Sequence, residues 1–359
     1  MTALVQHYLE HKPTLANGLL LSDHAVVVGR ATLGKGVALS PYAVIRADGH
    51  TITIGEHSRY LDRATAHIAD GFLPTHVGKR VLVGRFALTH ACTIGDDCVL
   101  ADGAVVMDGA EVGDAAVIAA GALVPPGKVL IGGKLYAGNP ARAVGDIEAN
   151  DLVAWRGAVI SGRKDGEYYA CALPPLDMGP FKPEGDGPLY ALAGGSPTID
   201  PTAFVAPGAV VAGRVAVCGG SSIWYAAVCR ADGGPIAIGP ETSVQDNSIL
   251  HTKPGSGSIS VGRGVTIGHN VRMGACSIGD DCVIGMGCEI ADGVVVEGGA
   301  IVGARAYVEP GTVVKAGHIW TGHPAQEFRP VSDHERSLFA RGKKVYVAYA
   351  AKYLGQTAA

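Results

Sequence analysis

The sequence predicts an all-β solenoid made of two parallel β-helix domains, each followed by a C-terminal α-helix. Three observations predict it: an aliphatic side chain recurs at every sixth position, glycine is abundant, and the whole pattern occurs twice along the chain. A period of six fits neither an α-helix, which repeats every 3.6 residues, nor an open strand, which repeats every two. It fits stacked coils of short strands that each turn one side chain inward before a tight corner.

The six-residue spacing is clearest in two stretches. The repeated aliphatic residues are Ile94, Leu100, Val106, Val112, Ile118 and Val124 in the first stretch, and Ile278, Ile284, Ile290, Val296, Val302, Val308 and Val314 in the second. Glycine accounts for 52 of the 359 residues, about twice the usual share of ~7%. This composition favours many tight corners around small side chains.

The chain is an internal duplication. The tetrapeptide Arg46–Gly49 recurs unchanged as Arg230–Gly233, and the pentapeptide Ile94–Cys98 recurs unchanged as Ile278–Cys282. Both offsets are 184 residues, so the two copies can be compared position by position. We therefore predict a first β-helix with its helix over residues 1–170, a connector rich in proline and glycine over 171–198, and a second β-helix with its helix over 199–359.

Each copy is predicted to end in a helix that covers apolar surface of its own β-helix. In the first copy the pattern predicts a helix from Glu148 to Ala170. In the second, Ser332 with Glu335 three residues later is typical of a capping box at a helix start.

Charge and composition exclude several classes of partner. The formal net charge is −4 and no run of lysine and arginine occurs, so we expect neither nucleic acid nor a membrane as a partner, and a small-molecule substrate instead. No signal peptide and no apolar run long enough to span a bilayer is found, which predicts a cytoplasmic protein. Cys92, Cys98, Cys276 and Cys282 occupy repeat positions for small apolar side chains and are predicted to be buried free thiols.

Four spaced motifs of the second copy resemble the γ-class carbonic anhydrase family, and the first copy matches the same frame more loosely. They are the opening coil Ile199–Pro207, the triplet Arg230–Asp232, the segment Val244–His251 with its Gln-Asp-Asn, and the segment Thr266–His269. The resemblance covers nearly the whole second copy. It implies a left-handed β-helix, trimeric assembly, and a zinc or iron ion held by three histidines, two from one subunit and one from the next.

The family's three ligand positions are divided unequally between the copies. The first position holds His67 and His251, the second holds Arg85 and His269, and the third holds His90 and Gly274. Neither copy has a complete set, but the resemblance implies that His67 and His90 come from one face of a subunit and His269 from the opposite face of its neighbour. We therefore predict one site for Zn²⁺, or for Fe²⁺ or Co²⁺, held by His67, His90 and His269 where copy one meets copy two. The copies would form an internal pseudo-oligomer, and a further homo-oligomer stays open.

A tetrahedral ion with three imidazole ligands keeps one position for water, which it acidifies to a pKa of roughly 7. The resulting hydroxide would hydrate carbon dioxide or hydrolyse a small ester, thioester or amide. Gln245 is similar to the family glutamine that bonds the metal-bound species, with a polar corner residue as the alternative interpretation. Arg85, if it lies near the metal, would bind a substrate carboxylate.

Two other functions stay open. Solenoids of this kind also form acyltransferases that use a histidine as general base, and His269 or His323 would serve in that role. The third hypothesis is a non-catalytic assembly protein, because anhydrase-like subunits with lost ligands are structural parts of larger complexes. Metal content distinguishes the metal-dependent enzyme from the acyltransferase, since a transferase needs no metal.

Overall fold

A computed structural model describes residues 2–69, 71–162, 188–192 and 194–357, with side chains given through residue 355. The chain divides into two compact units, Met1–Met178 and Gly179–Ala359. In the described ranges, each unit is a parallel β-solenoid followed by an α-helix. The predicted fold class is confirmed.

The strands of the first unit are β1 (Leu4–Gln6), β2 (Thr14–Leu15), β3 (Leu20–Leu21), β4 (Val26–Leu33), β5 (Ala38–Leu39), β6 (Val44–Ile54), β7 (Arg59–Tyr60), β8 (Thr65–His67), β9 (Thr75–Val77), β10 (Leu82–Val83), β11 (Leu88–His90), β12 (Thr93–Ile94), β13 (Val99–Leu100), β14 (Val105–Val106), β15 (Glu111–Val112), β16 (Val117–Ile118), β17 (Leu123–Val124), β18 (Val129–Leu130), β19 (Lys134–Ala137) and β20 (Arg142–Asp146). Helix α1 (Ala149–Ser161) follows them.

The strands of the second unit are β21 (Leu189–Tyr190), β22 (Thr198–Ile199), β23 (Phe204–Val205), β24 (Val210–Val217), β25 (Ser222–Ile223), β26 (Val228–Ile238), β27 (Ser243–Val244), β28 (Ile249–Thr252), β29 (Ile259–Val261), β30 (Thr266–Ile267), β31 (Arg272–Met273), β32 (Cys276–Ile278), β33 (Val283–Ile284), β34 (Glu289–Ile290), β35 (Val294–Val296), β36 (Ile301–Val302), β37 (Tyr307–Val308), β38 (Val313–Val314), β39 (His318–Gly322) and β40 (Ala325–Pro330). Helix α2 (Asp333–Thr357) follows them.

The first unit has three sheet faces. Two of them form one 12-stranded sheet, because the eleven-residue strand β6 pairs with β8 along its first part and with β9 along its second part. The third face is an 8-stranded sheet from β3 to β20, parallel except for the final pair β19 and β20. The second unit repeats this arrangement, with β26 bridging β28 and β29.

Neighbouring coils are stacked in parallel register. On the third face Leu82 pairs with Val99, and Val99 pairs with Val117, so equivalent residues of these coils lie 17 or 18 positions apart in the chain. The preceding coil is longer, since Leu82 pairs with Arg59 at a separation of 23. Main-chain hydrogen bonds between coils hold this register, as in Leu82 N–H to the Cys98 carbonyl at 3.0 Å. All thirteen aliphatic residues of the two predicted periodic series lie in the buried cores inside the coils, which confirms the six-residue prediction.

The long strands turn a corner at glycine. Gly29 in β4 has φ of 73°, and a Cβ atom there would stand 2.3 Å from the Ala47 carbonyl oxygen of the next coil. Gly213 in β24 has φ of 79° and the same close approach to Ala231. Because a side chain fits neither the conformation nor the space, glycine is required at this corner of both units.

Helix α1 covers the third face of the first unit. Trp155 and Val159 are buried against Leu82, Val99 and Val117. The helix was predicted to reach Ala170, but it ends at Ser161, because Gly162 adopts a left-handed conformation with φ of 66° and closes the helix. Residues 163–170 of the predicted helix lie outside the described residues.

Helix α2 covers the corresponding face of the second unit. Tyr353 stacks on Phe204 with ring centroids 5.1 Å apart and meets Trp224 edge-on at 5.4 Å. The predicted capping box is confirmed: Ser332 N–H donates to Glu335 at 3.0 Å, and Glu335 N–H donates to Ser332 Oγ at 3.3 Å. Hydrogen bonds from Arg329 and Ser332 lower the pKa of the Glu335 carboxyl.

The boundary between the units, after Met178, falls inside the connector predicted over 171–198. The end of that segment is not all extended linker, since β21 pairs in parallel with β24 through Leu189 and Val211. Residues 171–187 and 193 lie outside the described residues. Packing on the second solenoid therefore begins at least ten residues earlier than 199.

The four cysteines predicted to be buried free thiols are confirmed as such. Burial raises the pKa of Cys98 and of Cys276 to about 12, so these thiols stay protonated at neutral pH. Among the described residues, no helix combines the length and apolar character that a bilayer crossing requires.

We expect Ser332→Ala to lower the free energy of unfolding by about 1 kcal/mol, because it removes the side-chain acceptor at the start of α2. The measurement is urea unfolding followed by the helical circular dichroism signal. Ser337→Ala is the matched control: Ser337 lies on the exposed surface of the same helix, where alanine is the better helix former. Equal losses in the two variants would contradict a capping role for Ser332.

Candidate metal centre

His67 and His90 meet on adjacent strands of the first unit. Each is the last residue of its strand, and the two are register partners in the parallel pair β8 and β11. Ala66 points into the core, so strand alternation turns its neighbour His67 to the outer face. His67 Nδ1 and His90 Nε2 lie 3.2 Å apart, and both side chains are buried.

This spacing fits two ligands of one metal ion. Imidazoles bound to tetrahedral zinc at about 2.0–2.1 Å place their nitrogens about 3.3–3.4 Å apart. The chemistry of the donors also fits, because neutral imidazoles suit zinc, iron and cobalt. The first unit therefore carries a pair of donors suited to a shared ion.

A carboxylate lies behind each of these histidines. His90 Nδ1 lies 2.5 Å from Asp108 Oδ1, and His67 Nε2 lies 3.4 Å from Asp48 Oδ1. Arg46 forms a buried ion pair with Asp48 through Nη1 and Oδ2. Carboxylates of this kind fix the tautomer and orientation of a ligating histidine and raise its basicity.

His269 has the same kind of partner in the second unit. It follows β30, and its Nδ1 lies 3.1 Å from Asp246 Oδ2, with both side chains fully buried. Asp246 is itself held in place, since its Oδ1 accepts a hydrogen bond from the Tyr225 N–H at 3.1 Å. The next residue, Asn270, takes the left-handed corner conformation with φ of 59°. All three predicted ligands thus have a carboxylate neighbour.

His251 repeats the surroundings of His67 without a histidine beside it. Its Nε2 lies 2.9 Å from Asp232 Oδ2, and Arg230 donates to the same carboxylate at 2.9 Å. Although burial acts in the opposite direction, the hydrogen bonds from His251 and Arg230 lower the pKa of Asp232. The position directly after β31 that would supply the partner histidine holds Gly274.

The loss at Gly274 is accompanied by a change in Asp292, the residue that corresponds to Asp108. Asp292 Oδ1 accepts a hydrogen bond from the Ala275 N–H at 2.7 Å instead of contacting a ring nitrogen. A Cβ atom on Gly274 would stand 2.1 Å from that oxygen. The carboxylate therefore occupies space that a histidine at 274 would need.

Arg85 is turned toward the end of α1. Its Nη1 donates to the Val159 carbonyl at 2.8 Å and its Nη2 to the Ile160 carbonyl at 3.1 Å. Asp102 Oδ2 lies 3.5 Å from Nη1, and burial raises the pKa of that carboxyl. These contacts are those of a cation at a helix C-terminus, and a catalytic role for Arg85 stays a prediction that they do not support.

Gln245 is buried next to Asp246 in the second unit, directly after β27. Its main chain is paired, since its N–H donates to the Ile267 carbonyl at 3.0 Å. Its side-chain oxygen Oε1 has no hydrogen-bond partner among the described residues. A buried amide oxygen without a partner is costly, and it fits a site for a small donor such as water.

Sequence reasoning missed Asp108 and Asp292. The signal was present in the period: Asp108 follows His90 by 18 residues, which is one coil. A residue one coil away on the same corner is a spatial neighbour, so each histidine could have been checked for a carboxylate one coil before or after it.

Two family models match the repeats. One, described as bacterial transferase hexapeptide (six repeats), matches residues 91–126, and the other, hexapeptide repeat of succinyl-transferase, matches residues 276–314. Each lies in a different unit, in agreement with the duplication.

Three relatives illustrate what the chain is similar to. It is 38% identical to gamma carbonic anhydrase 1, mitochondrial, of Arabidopsis thaliana over 45% of this chain and 61% of that protein, so it spans less than two thirds of that relative's length. It is 34% identical to protein YrdA of Escherichia coli over 45% of this chain and 90% of that protein. It is 42% identical to uncharacterized transferase YtoA of Bacillus subtilis over 47% of this chain and 99% of that protein.

Each of these matches takes up less than half of this chain, and two of them cover nearly the whole relative. The hexapeptide models, the stacked coils and the identities of 34–42% agree with one another. The chain therefore belongs to the γ-carbonic-anhydrase-like family of hexapeptide-repeat proteins.

Proposed function

We propose that the protein is a metal-dependent enzyme of the γ-carbonic-anhydrase type, with one metal ion held by His67 and His90 of the first unit and His269 of the second. The reaction is addition of water to an electrophilic carbon: hydration of carbon dioxide, or hydrolysis of a small ester, thioester or amide. The observation that carries the proposal is the pair of in-register histidines whose nitrogens lie 3.2 Å apart, each backed by a carboxylate.

The ion is Zn²⁺, with Fe²⁺ or Co²⁺ as alternatives of similar ligand preference. Bound there, it would supply a water-derived nucleophile at neutral pH. The protein's own part is to keep the imidazoles neutral and oriented. Asp108 would accept the Nδ1 proton of His90, which leaves Nε2 of that ring to bind the metal. Asp246 lies 3.1 Å from His269 Nδ1 and would orient that ring by its charge.

Gln245 is the residue that we assign to orientation of the attacking water. Its buried Oε1 lacks a protein partner among the described residues and would accept a proton-bearing ligand. Arg85 receives a structural role in the proposal, because its guanidinium is committed to the C-terminal carbonyls of α1.

The metal content tests the ligand assignment. We expect the purified protein to hold one metal equivalent per chain and His269→Ala or His90→Ala to hold little, because removing one of three ligands leaves a weak site. His251→Ala is the matched control, since His251 also contacts a carboxylate but has glycine at the partner position. The measurement is metal analysis by inductively coupled plasma mass spectrometry after dialysis.

Loss of the metal in His251→Ala with retention in His269→Ala would contradict the assignment. A protein that never holds metal would favour the acyltransferase or the assembly protein instead.

The carboxylates give a finer test. We expect Asp108→Asn to weaken zinc affinity about 10- to 100-fold, because an amide oxygen is a poorer partner for the His90 N–H than a carboxylate. Asp292→Asn changes the same residue type at the equivalent position of the second unit, where Oδ1 accepts a main-chain N–H, and is expected to leave the affinity unchanged. The measurement is zinc competition with a chromophoric chelator, and equal effects would sink the idea.

Activity identifies the reaction class. We expect stopped-flow carbon dioxide hydration, or turnover of p-nitrophenyl acetate, that falls at least ~100-fold in His269→Ala and is unchanged in His251→Ala. The transferase alternative, supported by the descriptions of both family models and by the name of YtoA, predicts acetyl transfer from acetyl coenzyme A that survives metal removal. Transfer activity in metal-free protein, with no hydration or hydrolysis in the metal-loaded protein, would overturn the proposal.

A further inference from the structure

The duplication provides an internal comparison for the space between the C-terminal helix and the third face of each solenoid. In the first unit this space is filled. Trp155, Val159 and Leu152 of α1 pack with Leu82 of the sheet. Arg156 closes the edge, since its Nη2 donates to the carbonyls of Asp97, at 2.9 Å, and of Arg80.

In the second unit the equivalent space is a cavity of about 620 Å³. The lining residues that matter here are Gly264, Thr266, Arg336, Phe339, Ala340 and Lys343. The helices of the two units begin at the same offset of 184 residues, at Ala149 and Asp333, so the linings can be compared residue by residue. The volume lies in the range of small-molecule pockets, ~300–1,000 Å³.

Three differences open the space. Gly264 stands where the first unit has Arg80, Phe339 stands where it has Trp155, and Ala340 stands where it has Arg156. Each exchange removes side-chain volume from the same place. A Cβ atom on Gly264 would stand 2.7 Å from Lys343 Nζ, so even the first atom of a side chain at this position would clash with that ammonium.

Three more differences change the chemistry of the walls. Thr266 replaces Leu82, Arg336 replaces Leu152 and Lys343 replaces Val159. Arg336 and Lys343 lie seven residues apart on α2, with Phe339 between them, and therefore share one face of the helix. The helix face that is apolar in the first unit therefore carries two cationic side chains in the second.

Lys343 is largely covered by its neighbours. Its side chain is only 22% exposed, and its Nζ lies 2.9 Å from Asp281 Oδ1. An ammonium has three N–H donors, so Lys343 can donate to a ligand in addition to Asp281. Arg336 contacts Asp333 at 3.3 Å at the helix start and is 55% exposed. The charged side chains of the cavity wall, Asp281, Arg336 and Lys343, sum to one positive charge.

We propose that this cavity is a binding site for a small organic carboxylate with a short apolar body. The carboxylate is recognised by Arg336 and Lys343, and the body lies against Phe339 and the aliphatic wall, which includes Ile301. The site lies wholly within the second unit, and its lining contains none of the proposed metal ligands.

Benzoate is the probe, with benzamide as its neutral isostere, and isothermal titration calorimetry gives the dissociation constants. We expect benzoate to bind the full chain and benzamide to bind about ten-fold more weakly, because the amide lacks the charge. Arg336→Leu and Lys343→Val each install the residue that the first unit carries at that position, so both variants keep a sequence compatible with this fold. Each is expected to weaken benzoate binding about ten-fold.

Lys344→Val is the control, since Lys344 is exposed on the same helix and does not line the cavity. His90→Ala separates this site from the proposed metal centre and is expected to bind benzoate as the parent chain does. Absence of benzoate binding, equal binding in all helix variants, or loss of binding in His90→Ala would each overturn the proposal.

Discussion

The parallel stacking of coils is the constraint on which the rest of the molecule depends. Because main-chain hydrogen bonds join each coil to the next in parallel register, equivalent positions of successive coils stay in line, whether they lie 17 or 18 residues apart on the third face or 23 apart at His67 and His90. His67 and His90 meet only because they occupy the same position in successive coils. The same register carries Asp108 to His90 from the following coil. The stacking of the coils therefore positions the histidine pair and its carboxylates, without a loop.

The duplication shows what this scaffold tolerates. Glycine at the corner positions 29 and 213 is retained in both units because a side chain would clash there, and both cores are mainly aliphatic. The outer positions have diverged. One unit keeps two histidines on β8 and β11, and the other keeps one on β28 and another after β30. Outward side chains contribute little to the core, so ligands on that surface are exchanged without loss of the fold.

Much of the fold could be predicted from the sequence because the period is set by local chemistry. Thirteen aliphatic residues at six-residue spacing identified the core, and the Ser332 and Glu335 pair identified the start of α2. The end of α1 was predicted wrongly, because helical composition continues past Gly162 while its left-handed conformation does not allow the helix to continue. The strand β21 was missed, since a segment rich in proline and glycine gives no periodic signal.

The candidate site was only partly predictable. The motif positions identified His67, His90 and His269 as ligands. Which carboxylate lies next to which imidazole depends on contacts between coils. Asp108 and the reoriented Asp292 became visible only from distances. Arg85 shows the opposite failure: its position in the motif suggested a substrate contact, while its guanidinium meets α1, 74 residues further along the chain. No local pattern carries that information.

The central claim is that three histidines drawn from both copies hold one metal ion. A crystal structure of the full chain grown with zinc, with anomalous data collected at the zinc edge, tests it most directly. The account predicts one strong anomalous peak per chain, bonded at about 2.0–2.1 Å to His67, His90 and His269. A peak bonded to His251, or no peak at these histidines, would contradict it.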